Sequence, residues 1–228
     1  MRWFKCLRWY TAASVFRCSH LNRALYVFGS IEEYMDFKSE SFYKNITLND
    51  VQLAAIYYPI LIDLARHKHC LTYGELVKRA QEEHPGKDYV QKAIAVSTGR
   101  KLDVVRLFTD ERELPDVTSL IINKGKGECG SGFTEHFDPK AAREVVFSYD
   151  WSSVVNDFDL YIEQAEKAVK PKPKLTRNDA KSLTIAYYKD NRASLPKSVA
   201  SKRDEIIALI LDDYSVEEAF KLVAGTNV

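Results

Sequence analysis

The chain has 228 residues, 46% apolar and 29% charged, a globular composition with enough apolar material for one sizeable core and a smaller second one. Its 33 basic and 32 acidic side chains leave a net charge of +1, which excludes a protein that coats nucleic acid by bulk charge but not one that binds through a local patch. Four cysteines without C-x-x-C spacing point to a reduced, cytoplasmic chain, and no apolar run reaches the roughly 20 residues of a membrane span.

The first residues, MRWFKCLRWYTAASVFRCSHLNRALYVFGS, carry five arginines and lysines and no acid. Residues 1–34 fit a targeting segment, a membrane-surface helix or a loosely packed extension. The composition becomes ordinary at Met35, which makes that methionine a candidate start of the native protein.

From Thr47 the helical period takes over. Val51, Ala54, Ala55, Tyr58, Ile62 and Ala65 predict a helix over 47–68, capped by Thr47 or Asn49 and kinked at Pro59. T-Y-G-E at 72–75 has the spacing of a capping box and opens a second helix that Pro85-Gly86 closes. A third helical stretch covers 89–113, split at Ser97-Thr98-Gly99. The β-branched run 117–122, a glycine loop and a return through Gly132-Phe133 predict a β-hairpin. A short helix over 139–144 follows, then VVFSYDW as a strand or a helix entry, then a helix from 154 to 169. The Lys/Pro segment 170–175 reads as an extended linker. Residues 176–228 read as three short helices, the last opened by the S-x-x-E box at Ser215.

The organisation that follows is an extension (1–34), a winged-helix-like domain (35–169), a linker (170–175) and a small helical domain (176–228). The fold class is mainly α with a small β-hairpin, a winged helix-turn-helix followed by a helical C-terminal module. In that fold one helix enters a DNA groove while the hairpin wing meets the backbone.

Charge segregates accordingly. From Arg66 to Lys101 there are eight basic and four acidic residues; from Leu102 to Asp116 there are five acidic and two basic. The candidate DNA contacts are Tyr73, Lys78 and Arg79 on the second helix, Lys92, Ser97, Thr98, Arg100 and Lys101 around the recognition helix, and Lys124 and Lys126 on the wing. Lysine and arginine neutralise phosphates, and the hydroxyls donate to phosphate or base edges.

Catalytic and metal readings are weaker. G-x-G-x-x-G occurs at 125–130, but no helix is predicted directly after it to hold a pyrophosphate, and no GK precedes Ser or Thr as a P-loop requires. His67-Lys68-His69-Cys70 is one short cluster where a zinc site needs about four converging ligands. Cys129 and His136 lack an orienting third group. No enzyme activity, cofactor or metal is expected.

LTYGELVKRA at 71–80, AVSTGRKL at 95–102, an apolar strand and GECGSGF at 127–133 together resemble the winged-helix DNA-binding domain of O6-alkylguanine-DNA alkyltransferases and alkyltransferase-like proteins. The resemblance spans residues 71–133. It implies a DNA-binding shape, with Tyr73 at the position of the family tyrosine that presses on the DNA backbone. The family's P-C-H-R segment falls near LPDV at 114–117, without cysteine or histidine, and its arginine finger falls near Ile94. Alkyl transfer is therefore not implied. The expected function is non-enzymatic binding of double-stranded DNA, regulatory or accessory, in a compact protein of bacterial or mobile-element type. The alternative is a protein–protein adaptor that uses the same domain, with residues 176–228 binding a partner or a second copy. The fused aspartates Asp212-Asp213 sit badly for phosphate contact and assign that module to protein rather than to DNA.

Overall fold

The computed structural model describes residues 46–134, 137–152, 155–169 and 173–225. The extension 1–34, the candidate start Met35 and His136 lie outside the described residues. The described chain belongs to one compact unit that begins at Ile46. It is mainly α-helical, with one two-stranded sheet among the described residues.

Helix α1 (Leu48–His67) is the axis of the core. Thr47 accepts from the Asp50 backbone while the Asp50 carboxylate takes the Thr47 N–H, a closed capping box. Pro59 lies on its exposed side, and the residues around it, Tyr57, Tyr58, Ile60 and Leu61, are buried. Strand β1 (Leu71–Thr72) leads into α2 (Tyr73–Glu83), where Thr72 and Glu75 form the predicted box. A single turn, α3 (Asp88–Gln91), and a 3-10 turn at Ala95–Ser97 precede α4 (Thr98–Glu111). Helix α1 packs on α4 and on α7 (Val155–Ala168) through an aromatic cluster: Tyr58 stacks on Phe158 at 3.9 Å, and Phe108 meets Phe158 edge-on at 4.8 Å.

The predicted hairpin is not what forms. Val117–Leu120 winds into a 3-10 turn because Asp116 caps it, accepting from the Thr118 backbone N–H at 2.9 Å. Only β2 (Ile121–Ile122) is extended, and it pairs in parallel with β1, Leu71 opposite Ile121 and Thr72 opposite Ile122. A parallel pair needs a crossover, and α2 to α4 supply it. The chain then enters α5 (Ser131–Thr134), whose first turn is closed by Phe133 and Thr134 N–H groups on the Gly130 carbonyl, so no second arm returns. VVFSYDW also resolves: residues 145–148 continue α6 (Pro139–Ser148), and Trp151 closes over its end by donating its indole N–H to the Val146 carbonyl at 2.9 Å.

The C-terminal helices are α8 (Arg177–Asn191), α9 (Arg203–Leu211) and α10 (Val216–Gly225). Ser215 with Glu218 closes the expected box, and Thr176 with Asp179 closes a further one. A second core forms from Ala180, Val199, Ile206, Ile207, Leu209, Ile210, Phe220 and Val223, and Ile94 and Val96 from the α3–α4 connection pack against it. Among the described residues no helix is long and apolar enough to cross a membrane.

Candidate nucleic-acid interface

Helix α2, the α3 turn and α4 follow one another between β1 and β2. Two glutamines fix its angle: Gln81 donates to the Gln91 and Ala93 carbonyls, and Gln91 donates back to the Gln81 carbonyl at 2.9 Å. Arg79 ties α2 to α1, bonding Asp63 at 2.7 Å and Glu83 at 2.7 Å. That hydrogen bond from Arg79 holds the Asp63 carboxyl below its usual range. Arg79 is therefore a brace between two helices rather than a free cation.

The glycine loop after β2 is short and closed. Asn123 N–H donates to the Glu128 carbonyl and Gly127 N–H to the Asn123 carbonyl, both at 2.8 Å. Gly127 takes φ +63°, which a glycine adopts without steric cost. Lys124 and Lys126 are exposed on this loop. The parallel pairing places the loop beside the start of α2, where Lys124 acts electrostatically on Glu75. Tyr73 braces it from below. Its half-buried hydroxyl bonds the Gly130 backbone, and a Cβ at Gly130 would stand 3.1 Å from that oxygen. Burial raises the Tyr73 hydroxyl above its usual pKa, so it acts as a neutral prop.

Lys78 lies one turn after Glu75 on the exposed side of α2, at 74% exposure, with Glu82 3.7 Å away. Lys92 is exposed just beyond α3, next to the Gln81–Gln91 lock. Lys124, Lys126, Lys78 and Lys92 thus run from the start of α2 to its end, a length of about 16 Å at 1.5 Å per residue. Among the described residues no carboxylate pairs with Lys92, Lys124 or Lys126.

The other predicted contacts face inward, which corrects their assignment in this structure. Ser97 and Thr98 are buried, and each hydroxyl donates to the Ile94 carbonyl. Lys101 is 1% exposed; its ammonium meets Asp50 at 2.8 Å, donates to the Ser97 hydroxyl and is bound by Asp212. Arg100 is 14% exposed, with its guanidinium against Asp50, on the Asp212 carbonyl and 3.5 Å over the Tyr214 ring. A charge taken out of water needs such partners, because its desolvation costs several kcal/mol. The exposed residues of α4 are Gly99, Asp103, Asp110 and Glu111.

Asp50, Asp212 and Tyr214 are the residues that sequence reasoning missed. Asp212-Asp213 was visible as a pair unsuited to phosphate, but nothing local to it points to Lys101, 111 positions away.

Cys129 is buried, with its thiol donating to the Ser119 carbonyl at 3.2 Å, and burial pushes its pKa up to about 11. It is protonated near neutral pH and poorly placed to act as a nucleophile. His67 ends α1 with Nδ1 2.9 Å from the Asp63 carbonyl, and among the described residues no group of three metal-ligating side chains converges. No family model, no curated protein and no solved structure matches the chain.

Proposed function

We propose that this protein binds double-stranded DNA without transforming it, through a winged-helix-like surface whose contacts are Lys78, Lys92, Lys124 and Lys126. The observation that supports this best is the set of exposed lysines on α2 and beside its two ends. They are held at the two ends by the closed 123–128 loop and by the glutamine lock. The loop after β2 takes the part of a wing, and Tyr73 positions it rather than touching DNA first. The resemblance of residues 71–133 to the alkyltransferase DNA-binding domain supports the same reading.

The reading makes a salt prediction. Neutralising about four phosphates gives a slope near −3.6 in log affinity against log salt. Affinity should then fall about 100-fold between about 50 and 200 mM salt. Anisotropy titrations with a labelled random duplex measure it directly. Lys78→Glu combined with Lys124→Glu should weaken binding to every sequence alike. An unchanged affinity in that double variant would remove the assignment.

A second reading, a protein–protein adaptor, is favoured by one observation. Leu183 and Ile185 on α8 are 40% and 50% exposed, on a helix that buries little besides Ala180 and Thr184. A stoichiometric protein partner, with no duplex binding at low salt, would favour it.

A further inference from the structure

We propose that Arg143, on α6, is the positioning residue of the lysine loop: it grips the chain on both sides of that loop and sets the direction in which Lys124 and Lys126 meet a phosphate backbone. For its effect on affinity the inference rests on the DNA-binding reading.

Arg143 lies three residues before Val146, which is fully buried, so the packing of α6 turns both side chains to the same inward face. Helix α6 packs there on the Val117–Leu120 turn. The Arg143 side chain is 14% exposed, and its guanidinium forks. One arm donates to the Ser119 carbonyl at 3.3 Å, on the approach to β2, and lies 3.8 Å from the Cys129 sulfur. The other donates to the Glu128 carboxylate at 2.9 Å. Glu128 is also the residue whose backbone carbonyl closes the loop on Asn123. A planar fork that holds two acceptors at once fixes their relative geometry.

The loop depends on such an outside brace. Its own two hydrogen bonds, Asn123 to Glu128 and Gly127 to Asn123, fix its shape but not its direction. Strand β2 is only two residues long, so the ladder behind the loop aims it weakly. Arg106 of α4 has a narrower part. It bonds Asp116 at 2.9 Å and Thr118 at 3.2 Å, and its guanidinium lies 4.9 Å over the Phe133 ring. Arg106 thus secures the flanks, as Tyr73 does at Gly130, whereas Arg143 holds the loop through Glu128. With Arg106 and Tyr73 in place, loss of Arg143 frees the loop's direction without unfolding its flanks. A loop already ordered loses less conformational entropy on binding, which is the route from this contact to affinity.

The test uses the full chain and a labelled random duplex. Arg143→Met keeps the packed stem and removes the fork; Glu128→Ala removes its partner. Charge alone predicts opposite signs, weaker binding without the arginine and tighter binding without the glutamate. The brace predicts that both variants bind about fivefold more weakly. It also predicts that Arg143→Met causes no further loss once Lys124 and Lys126 are alanine. Without DNA, the Asn123 and Gly127 amides should exchange faster in both variants. Binding by Glu128→Ala as tight as the wild type's or tighter would overturn the proposal. So would an equal loss from Arg143→Met with and without the two lysines, since Arg143 would then touch DNA or support the fold at large. If the wild type binds no duplex at low salt, the DNA reading fails, and the exchange rates alone decide whether Arg143 holds the loop. Should Arg143→Met not fold, Glu128→Ala decides by the same two measurements.

Discussion

Lys124 and Lys126 stand on an exposed, self-closed loop beside the start of α2, whereas Arg100 and Lys101 stand at the start of α4 between Asp50 and Asp212. In the sequence both pairs are basic residues next to a glycine and near a predicted element boundary. In the fold one pair is hydrated and the other is enclosed. The difference lies in the carboxylates that come from elsewhere. Asp50 is 50 positions from Arg100, and Asp212 is 111 from Lys101. A cation enclosed with carboxylates that the fold brings to it is not open to a ligand. Counting local charge overstates a binding face wherever distant acids converge on it.

The comparison breaks most visibly on stability. Lys101→Ala leaves Asp50 buried with a single cationic partner, and should cost about 3–5 kcal/mol, the usual penalty for breaking a buried ion pair. Lys124→Ala, on the open loop, should stay within about 0.5 kcal/mol. Urea unfolding of the two variants measures both. A loss in Lys101→Ala no larger than in Lys124→Ala would mean that the pocket around Lys101 is open to water.

The next effect is on binding, where the order reverses. Removing Lys124 and Lys126 together by alanine should reduce the salt slope of duplex binding by about 2, with little change in the unfolding midpoint. A slope equal to the wild type's would take the loop out of the interface and leave Lys78 and Lys92 as the remaining contacts.

The same contrast explains how much could be read in advance. Helix starts were legible because caps are local: the boxes of Thr72 with Glu75 and Ser215 with Glu218 are complete within three residues, and Thr47 and Thr176 mark the other two starts, where the structure adds boxes with Asp50 and Asp179. The split at Ser97-Thr98-Gly99 was legible too, although Ser97 bonds Ile94 rather than capping α4. Two things were hidden. The β-branched run 117–122 suggested a strand, but the Asp116 side chain captures the Thr118 N–H and turns most of it into a 3-10 turn. The partner of what remains, Leu71–Thr72, lies on the far side of three helical segments, and local sequence does not encode that pairing. The candidate lysines on α2 and its loop were legible as charge. The inward turn of Arg100 and Lys101 was not, because it depends on where α9 ends.

The smallest effect distinguishes the capping boxes that support the two regions. Thr72→Ala and Thr176→Ala each remove a cap and should each cost about 1 kcal/mol near neutral pH. Both boxes also carry an acid signature. The Thr72 backbone N–H and hydroxyl, each 2.8 Å from the Glu75 carboxylate, hold Glu75 below its usual pKa, and Thr176 does the same for Asp179. A carboxylate whose folded pKa is depressed contributes stability that is fully present above its unfolded value, about 4.3 for Glu and 3.9 for Asp. That contribution fades as the pH falls through the lower folded value. The gap between wild type and each alanine variant should therefore narrow as the pH drops to about 3 in urea titrations. The two variants should part company on DNA. Thr72 is also the β1 residue opposite Ile122, directly before the Lys124–Lys126 loop, so Thr72→Ala should loosen that loop and weaken duplex binding modestly. Thr176→Ala lies at the start of α8, away from the lysine row, and should leave the lysine contacts unchanged. Equal losses of affinity in both would show that the row along α2 is not a separate binding surface.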